Sequence, residues 1–314
     1  MKTDTVREET SEFYSDVITG LTSDQKYLHS KYFYDERGSD LFEQICALDE
    51  YYPTKCEVSI MQTHMSEISD ILGGGLQLIE LGSGSSMKTR LLLDHCNGIE
   101  MYVPVDISAE FLNGTAKVLR RDYPDLDIRP VAADYTSPFE IPAAESIQKR
   151  VVYYPGSTIG NFKQNRAADF MTTVARNLTP GDGLLIGVDL KKDVGILEAA
   201  YNDSKGITAD FNKNILTRIN RELSANFDIG SFHHRAFYNA PKGRIEMHLE
   251  SKIDQRVQIN GTQISFKEGE TIHTENSHKY SVSEIETLTG DLFKRKKTWM
   301  DEREYFSVHY FERV

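Results

Sequence analysis

Cysteine is scarce: three in 314 residues, Cys46, Cys56 and Cys96, with neither a C-x-x-C pair nor a metal-ligand spacing among them. A set that sparse and odd-numbered builds no disulfide framework and fits reduced thiols in the cytoplasm. Long apolar runs are missing too, so no membrane span is expected, and the opening MKTDTVREETSEF has no apolar h-region of a secretory signal. Positive charge is in deficit: 36 Lys and Arg against 48 Asp and Glu give a formal charge of -12. That balance argues against a nucleic-acid backbone as partner, which needs a basic surface. The basic run Lys294 to Lys297 reads as a solvated strand edge. No repeat or low-complexity segment is visible. A soluble cytoplasmic protein of one large or two closely packed domains is expected.

What the chain does have is one organising stretch, LQLIELGSGSSMKTRLLL, from Leu76 to Leu93. Leu76, Leu78, Ile79 and Leu81 predict a buried strand, Gly82 to Ser86 a turn, and Leu91 to Leu93 a helix. Strand, glycine-serine turn and helix make the first half of a βαβ unit, with the turn at the strand's carboxyl end where open α/β sheets bind ligands. A dinucleotide fingerprint would need a third glycine where Met87 stands, and that side chain would obstruct a pyrophosphate. Glu80 followed by G-S-G-S-S is closer to the cradle of S-adenosylmethionine enzymes, whose ligand carries no phosphate. Glycine-rich turns after strands are also common structural devices.

Elsewhere, Leu41, Phe42, Ile45 and Leu48 predict a short helix. Pro53 reads as a break, with Thr54 capping a helix that carries Val58, Ile60, Met61, Ile68 and Ile71. Met101 to Val105 predicts a second strand ending at Asp106, about 20 residues past the glycine turn, where ribose hydroxyls are held. Capping the next helix is the plainer role for that carboxylate. A third strand near Ile128 to Ala132 ends at Asp134 and Tyr135, a carboxylate for an adenine amino group beside a ring that stacks, or simply a turn. Arg150 to Tyr154, running into PGSTIGNF, and Gly183 to Leu190 follow. This alternation over residues 56–190 predicts a doubly wound parallel α/β sheet. Right-handed crossovers put the turns after Leu81, Val105, Ala133 and Tyr154 along one edge. Past Leu190 the rhythm changes. Residues 195–228 read as helical, Phe232 to Thr274 alternates, and Ser281 onward returns to a helix and a strand pair that closes the sheet. The chain divides on this reading into 56–190 plus 280–314, and 1–55 plus 191–279.

Several stretches, in order, resemble the histidine N-alpha-methyltransferases that form hercynine in ergothioneine biosynthesis: YFYDERGSDLFEQI, EYYPT, ELGSGSSMKTRLLL, PVDIS, PGSTIGNF, AYNDSKGITADFNKNIL, NRELSANFD, RIEMHL and TENSHKYS. The resemblance implies a Rossmann-like class I methyltransferase sheet that binds S-adenosylmethionine, and a smaller α+β substrate lobe built from the N-terminal segment and the insert. It implies that Tyr34, Gly82, Lys88, Asp106, Asp134 and Tyr135 line the cofactor site. Tyr51, Asn161, Tyr201, Glu275 and Ser277 would hold L-histidine, with Met247 as an apolar wall and Asn276 beside the specificity pair. Tyr34 and the backbone at Gly156 would lie close to the reacting amine. Asn161 and Tyr201 would bond the substrate carboxylate. Glu275 would accept from one imidazole N–H, and Ser277 would serve the other nitrogen.

Each residue taken singly has a plainer reading: buried tyrosines with a wet hydroxyl, Asn161 as a turn residue, Lys88 as a solvated helix residue, Glu275 and Ser277 as an exposed strand face. The His233–His234 pair lies outside the resemblance and reads as surface or packing rather than metal, since no partner ligand stands at the expected spacing; no metal is expected. Tyr135 stands where phenylalanine is frequent, so stacking survives with an added hydroxyl. Without the sulfoxide-synthase domain fused in some fungal relatives, the chain is expected to stop at the methylated betaine, acting as a monomer on a small molecule. Two alternatives remain: an N-methyltransferase for another aromatic amino acid or amine such as a tryptophan derivative, and a binding module without turnover. Glu275 weighs against the first, because a carboxylate buried beside a purely apolar ring is costly.

Overall fold

The strand Leu76–Leu81 is buried at every residue and pairs in parallel with Ile99–Asp106 on one side and Lys149–Tyr154 on the other. A strand covered on both faces needs apolar residues on each, which Leu76, Leu78, Ile79 and Leu81 supply, while the buried Gln77 and Glu80 side chains are hydrogen-bonded. The computed structural model describes residues 2–83, 87–143 and 146–314. Gly84, Ser85 and Ser86 of the glycine-serine turn, and the side chain of Met87, lie outside what is described.

The chain forms two compact units, Met1–Tyr52 with Lys192–Ser277, and Pro53–Lys191 with His278–Val314. The second holds the large sheet. Its strands run in the order Phe293–Met300, Phe306–Arg313, Gly183–Asp189, Lys149–Tyr154, Leu76–Leu81, Ile99–Asp106 and Asp127–Ile128, and Val131–Ala132 also pairs with Ile99–Asp106. Pairing is parallel from Gly183–Asp189 outward through Asp127–Ile128, and the last two strands of the chain add as an antiparallel pair. All the parallel strands therefore end at one edge, the edge expected from the crossover rule. One face buries Ile79, Val103, Val152, Phe170, Ile186 and Phe311 in a common core. The helix Val282–Thr289 is opened by a capping box between Ser281 and Glu284.

The other unit is α+β. The helix Lys2–Leu21 buries Phe13, Val17 and Leu21. Glu36–Ala47, capped by the Asp35 carboxylate, packs against Ile207–Glu222. Three strands lie in the order Thr271–His278, Arg244–Ser251, Phe232–Asn239, and Gln255–Ile259 pairs with Thr262–Phe266 in a separate hairpin. Among the described residues, no helix is long and apolar enough to cross a membrane.

The structure corrects several local readings. Pro53 does not break the chain: it sits in the first turn of the helix Tyr52–Leu72, where its missing N–H would have had no partner anyway. The third strand is two short pieces, because Pro130 lies between Ile128 and Val131 and cannot donate to a ladder. The expected helical stretch 195–228 is two helices, Val194–Ala199 and Ile207–Glu222, the second opened by Gly206 at φ +74°. The two compact units divide after Tyr52, Lys191 and Ser277.

Candidate active site

In the sheet unit, the residues at the carboxyl edge form two groups. The first gathers around Tyr135. Gly82, at φ +73°, faces it so closely that a Cβ there would lie 3.5 Å from the phenol oxygen. Asp106 and Asp134 are both near enough to raise the Tyr135 phenol electrostatically, and with burial as the largest cause it is pushed up to about 12. The Tyr135 ring packs edge-on against Tyr154 and Phe170, with centroids 5.9 and 6.1 Å away. Asp106 does not cap the next helix as expected, since Ser108 is the N-cap residue of Ala109–Asp122; its Oδ1 instead accepts from the Ser108 N–H at 3.0 Å in the turn ahead of that helix. Burial raises its carboxyl above the ordinary value. Asp134 Oδ1 likewise accepts from the N–H and hydroxyl of Thr136.

The second group joins Lys88 to Gly156 through Glu57. Lys88 Nζ donates to Glu57 Oε2 at 2.6 Å, and the Gly156 N–H reaches both oxygens of that carboxylate at 3.0 Å. Glu57 escaped the sequence reading; on an amphipathic helix nothing in its spacing marks a buried carboxylate. Glu80 is the penultimate residue of the first strand, and its Oε2 accepts from the hydroxyls of Thr89 and Tyr102. Asn161 closes the 3-10 turn Thr158–Asn161, whose Gly160 carbonyl accepts from His278 Nδ1–H at 3.0 Å. The donor set fits an adenosine ligand without phosphate. Acidic side chains stand after the second and third strands, a ring lies beside them, and the buried Ser83 Oγ has no partner among the described residues.

In the smaller unit, the strand Thr271–His278 carries Glu275, Asn276 and Ser277, and the adjacent strand carries Met247, whose carbonyl accepts from Thr274 Oγ1. Alternation puts Glu275 and Ser277 on one face. The Tyr201 hydroxyl donates to Ser277 Oγ at 2.8 Å. Tyr51 lies edge-on to Tyr201, with centroids 6.2 Å apart, and Tyr34 reaches the same aromatic cluster through Phe42. Burial, with Tyr201, Tyr34 and Glu275 among its neighbours, holds the Tyr51 phenol well above its ordinary range. Asn276 Oδ1 is buried with no partner among the described residues. Tyr34, Tyr51, Tyr201, Met247, Glu275, Asn276 and Ser277 are thus in one unit, whereas Gly156 and Asn161 belong to the sheet unit.

The histidines here hold structure. His234 donates Nε2–H to the Tyr201 carbonyl at 2.8 Å and accepts from Asn212 through Nδ1, and burial lowers its pKa, so it is a neutral, satisfied strut. Glu246, His248 and His273 bring potential ligand atoms within 4.8 Å of one another. They make a poor metal cage. The imidazoles stack at 4.7 Å and 13°, so their lone pairs lie in near-parallel planes, and Arg244 and Lys242 already occupy Glu246 Oε1.

Known proteins bear on this arrangement directly. Histidine N-alpha-methyltransferase of Mycolicibacterium smegmatis is 41% identical over 289 residues, 90% of this chain and 89% of that one. Ergothioneine biosynthesis protein 1 of Neurospora crassa is 32% identical over 274 residues, 81% of this chain but 30% of that longer protein. L-tryptophan methyltransferase trpM of Psilocybe serbica is more distant, 26% identical over 313 residues covering 90% of this chain and 87% of its own. The family described as histidine-specific, S-adenosylmethionine-dependent methyltransferase matches residues 13–313, so the similarity takes in both units and every strand described above, and the chain belongs to that family.

Proposed function

We propose that this protein trimethylates the α-amine of L-histidine, giving the betaine hercynine of ergothioneine biosynthesis. S-adenosylmethionine, when bound, supplies a methyl group activated on a sulfonium. The protein's share is to hold a neutral amine in line with that carbon and keep water away, which calls for positioning rather than a protein nucleophile or a metal. Asp106 takes the ribose hydroxyls, Asp134 the adenine amino group, and Tyr135 the ring face, with Gly82 and Lys88 completing the cofactor side. Glu275 accepts an imidazole N–H, Ser277 addresses the other nitrogen, and Asn276, Tyr51 and Met247 enclose the ring. Tyr201 and Asn161 bind the carboxylate. Tyr34 and the Gly156 backbone face the amine.

The observation that carries this reading is the strand Thr271–His278, which sets Glu275 beside Ser277 with the Tyr201 hydroxyl already on the serine. A carboxylate and a hydroxyl one residue apart match the two nitrogens of an imidazole, and an indole has no second nitrogen for them. A chain with only three cysteines and a formal charge of -12 supports work in the cytoplasm on a small molecule.

The test is to incubate purified protein with S-adenosylmethionine and each proteinogenic amino acid, reading products by mass. Histidine should gain three methyl groups. Removing a charged hydrogen-bond acceptor costs roughly 1.5–3 kcal/mol, so Glu275→Ala should weaken histidine binding at least about tenfold and leave S-adenosylhomocysteine affinity unchanged. Methylation of another amino acid with histidine untouched would sink the assignment.

A further inference from the structure

Glu57 lies on the helix Tyr52–Leu72 with 1% of its surface exposed. Its carboxylate gathers the Lys88 ammonium at 2.6 Å and the Gly156 N–H at 3.0 Å from each oxygen. Space is made for it from the sheet side: a Cβ at Gly187 would collide with Glu57 Oε1. The peptide it holds is an unusual one. Gly156 at φ +76° is followed by Ser157 at φ +58°, two successive left-handed residues, the second with a Cβ. Backbone of that kind persists only where its surroundings over-determine it, and it gathers at functional sites.

The far side of the turn is pinned too. The Asp189 N–H donates to Ser157 Oγ at 2.9 Å, and the Asp189 carboxylate is paired with Lys279 at 2.7 Å, both side chains out of solvent. A half-buried ion pair on a buried carboxylate and a fully buried ion pair thus bracket one strained turn at the carboxyl edge of the sheet. A single backbone N–H could have been satisfied by any neutral acceptor. A carboxylate held in turn by a lysine restricts the peptide from both its own charge and its partner's.

We infer that Glu57 is a positioning residue for methyl transfer, locking the Gly156–Ser157 turn through the Gly156 N–H while Lys88 holds its carboxylate in place. The inference rests on the proposal that Gly156 and Lys88 face the reacting groups. Glu57→Gln retains the shape and one acceptor oxygen but loses the charge opposite Lys88. Glu57→Asp retains the charge and withdraws it by one methylene.

Hydrogen–deuterium exchange of the segment spanning residues 153–161 reads the lock itself, and steady-state kinetics read its consequence. In both variants the Gly156 amide should exchange at least tenfold faster while the Gly183–Asp189 strand keeps its protection. The kcat should fall at least tenfold, with KM for histidine within threefold of the parent value. Unchanged exchange and unchanged kcat in a folded variant would overturn the inference. So would protection lost across the whole sheet with kcat and histidine affinity falling together, or failure of both variants to fold, since these are what a purely structural carboxylate produces. A parent enzyme that leaves histidine unmethylated would remove the functional proposal instead, and the exchange result would still stand or fall alone.

Discussion

Glu80, the penultimate residue of the first strand, should make the stability of this protein depend on pH in the direction opposite to most carboxylates. Its side chain is 3% exposed, and its Oε2 accepts from Thr89 Oγ1 at 2.6 Å and Tyr102 OH at 2.5 Å. Burial is the largest influence and raises the carboxyl; the two hydroxyls and the charge of Lys88 pull it back, leaving it at about 7 against an ordinary 4.5. The folded state therefore binds this proton more tightly than the unfolded chain does. The resulting stabilisation is fully present below pH 4.5 and is lost as pH rises through 7. At 1.36 kcal/mol per tenfold change in proton affinity, roughly 2 to 3 kcal/mol disappears between pH 5 and pH 8. Glu80→Gln keeps an acceptor for both hydroxyls and never ionises. Urea unfolding followed by the fluorescence of the single tryptophan, Trp299, measures both proteins at each pH. The stability of the variant relative to the parent should rise by about 2 to 3 kcal/mol from pH 5 to pH 8. A difference that stays constant with pH would show that Glu80 ionises at its ordinary value, and the reasoning from burial would be wrong.

Two further outcomes follow from the same unit. Lys279→Met takes away the cation paired with the buried Asp189 carboxylate and should cost about 3–5 kcal/mol, most of which the double variant Lys279→Met/Asp189→Asn should restore; equal losses in denaturant unfolding would contradict this. Asp106→Ala should weaken S-adenosylhomocysteine binding by calorimetry at least about tenfold, the effect of losing a charged acceptor. Unchanged affinity would mean that Asp106 only orders the Ser108 N–H.

The parallel sheet was legible because its signals are local. Leu76–Leu81, Met101–Val105 and Val151–Tyr154 are apolar runs bounded by glycine, aspartate or proline, and burial on both faces leaves a mark on consecutive residues. The short, interrupted third strand was harder to read, since two-residue pieces around Pro130 carry almost no periodicity. The single helix expected over 195–228 hid a turn at Ala200 to Gly206 for a similar reason: apolar spacing continues across a gap that only the positive φ of Gly206 marks.

The chemistry separates along the same line. Residue types and their order along the chain were enough to determine the fold class and the family, because hydrophobic periodicity, turn chemistry and motif order reside in neighbouring residues. Contacts between distant residues were decided by the tertiary structure alone. It placed Glu57 against Gly156 from 99 residues away, Tyr201 against Ser277 from 76, and Lys279 against Asp189 from 90. A helix at period 3.6 shows which side is apolar but not which buried carboxylate will meet a lysine. That pairing depends on how elements pack, and packing is a property of the whole chain rather than of any window along it.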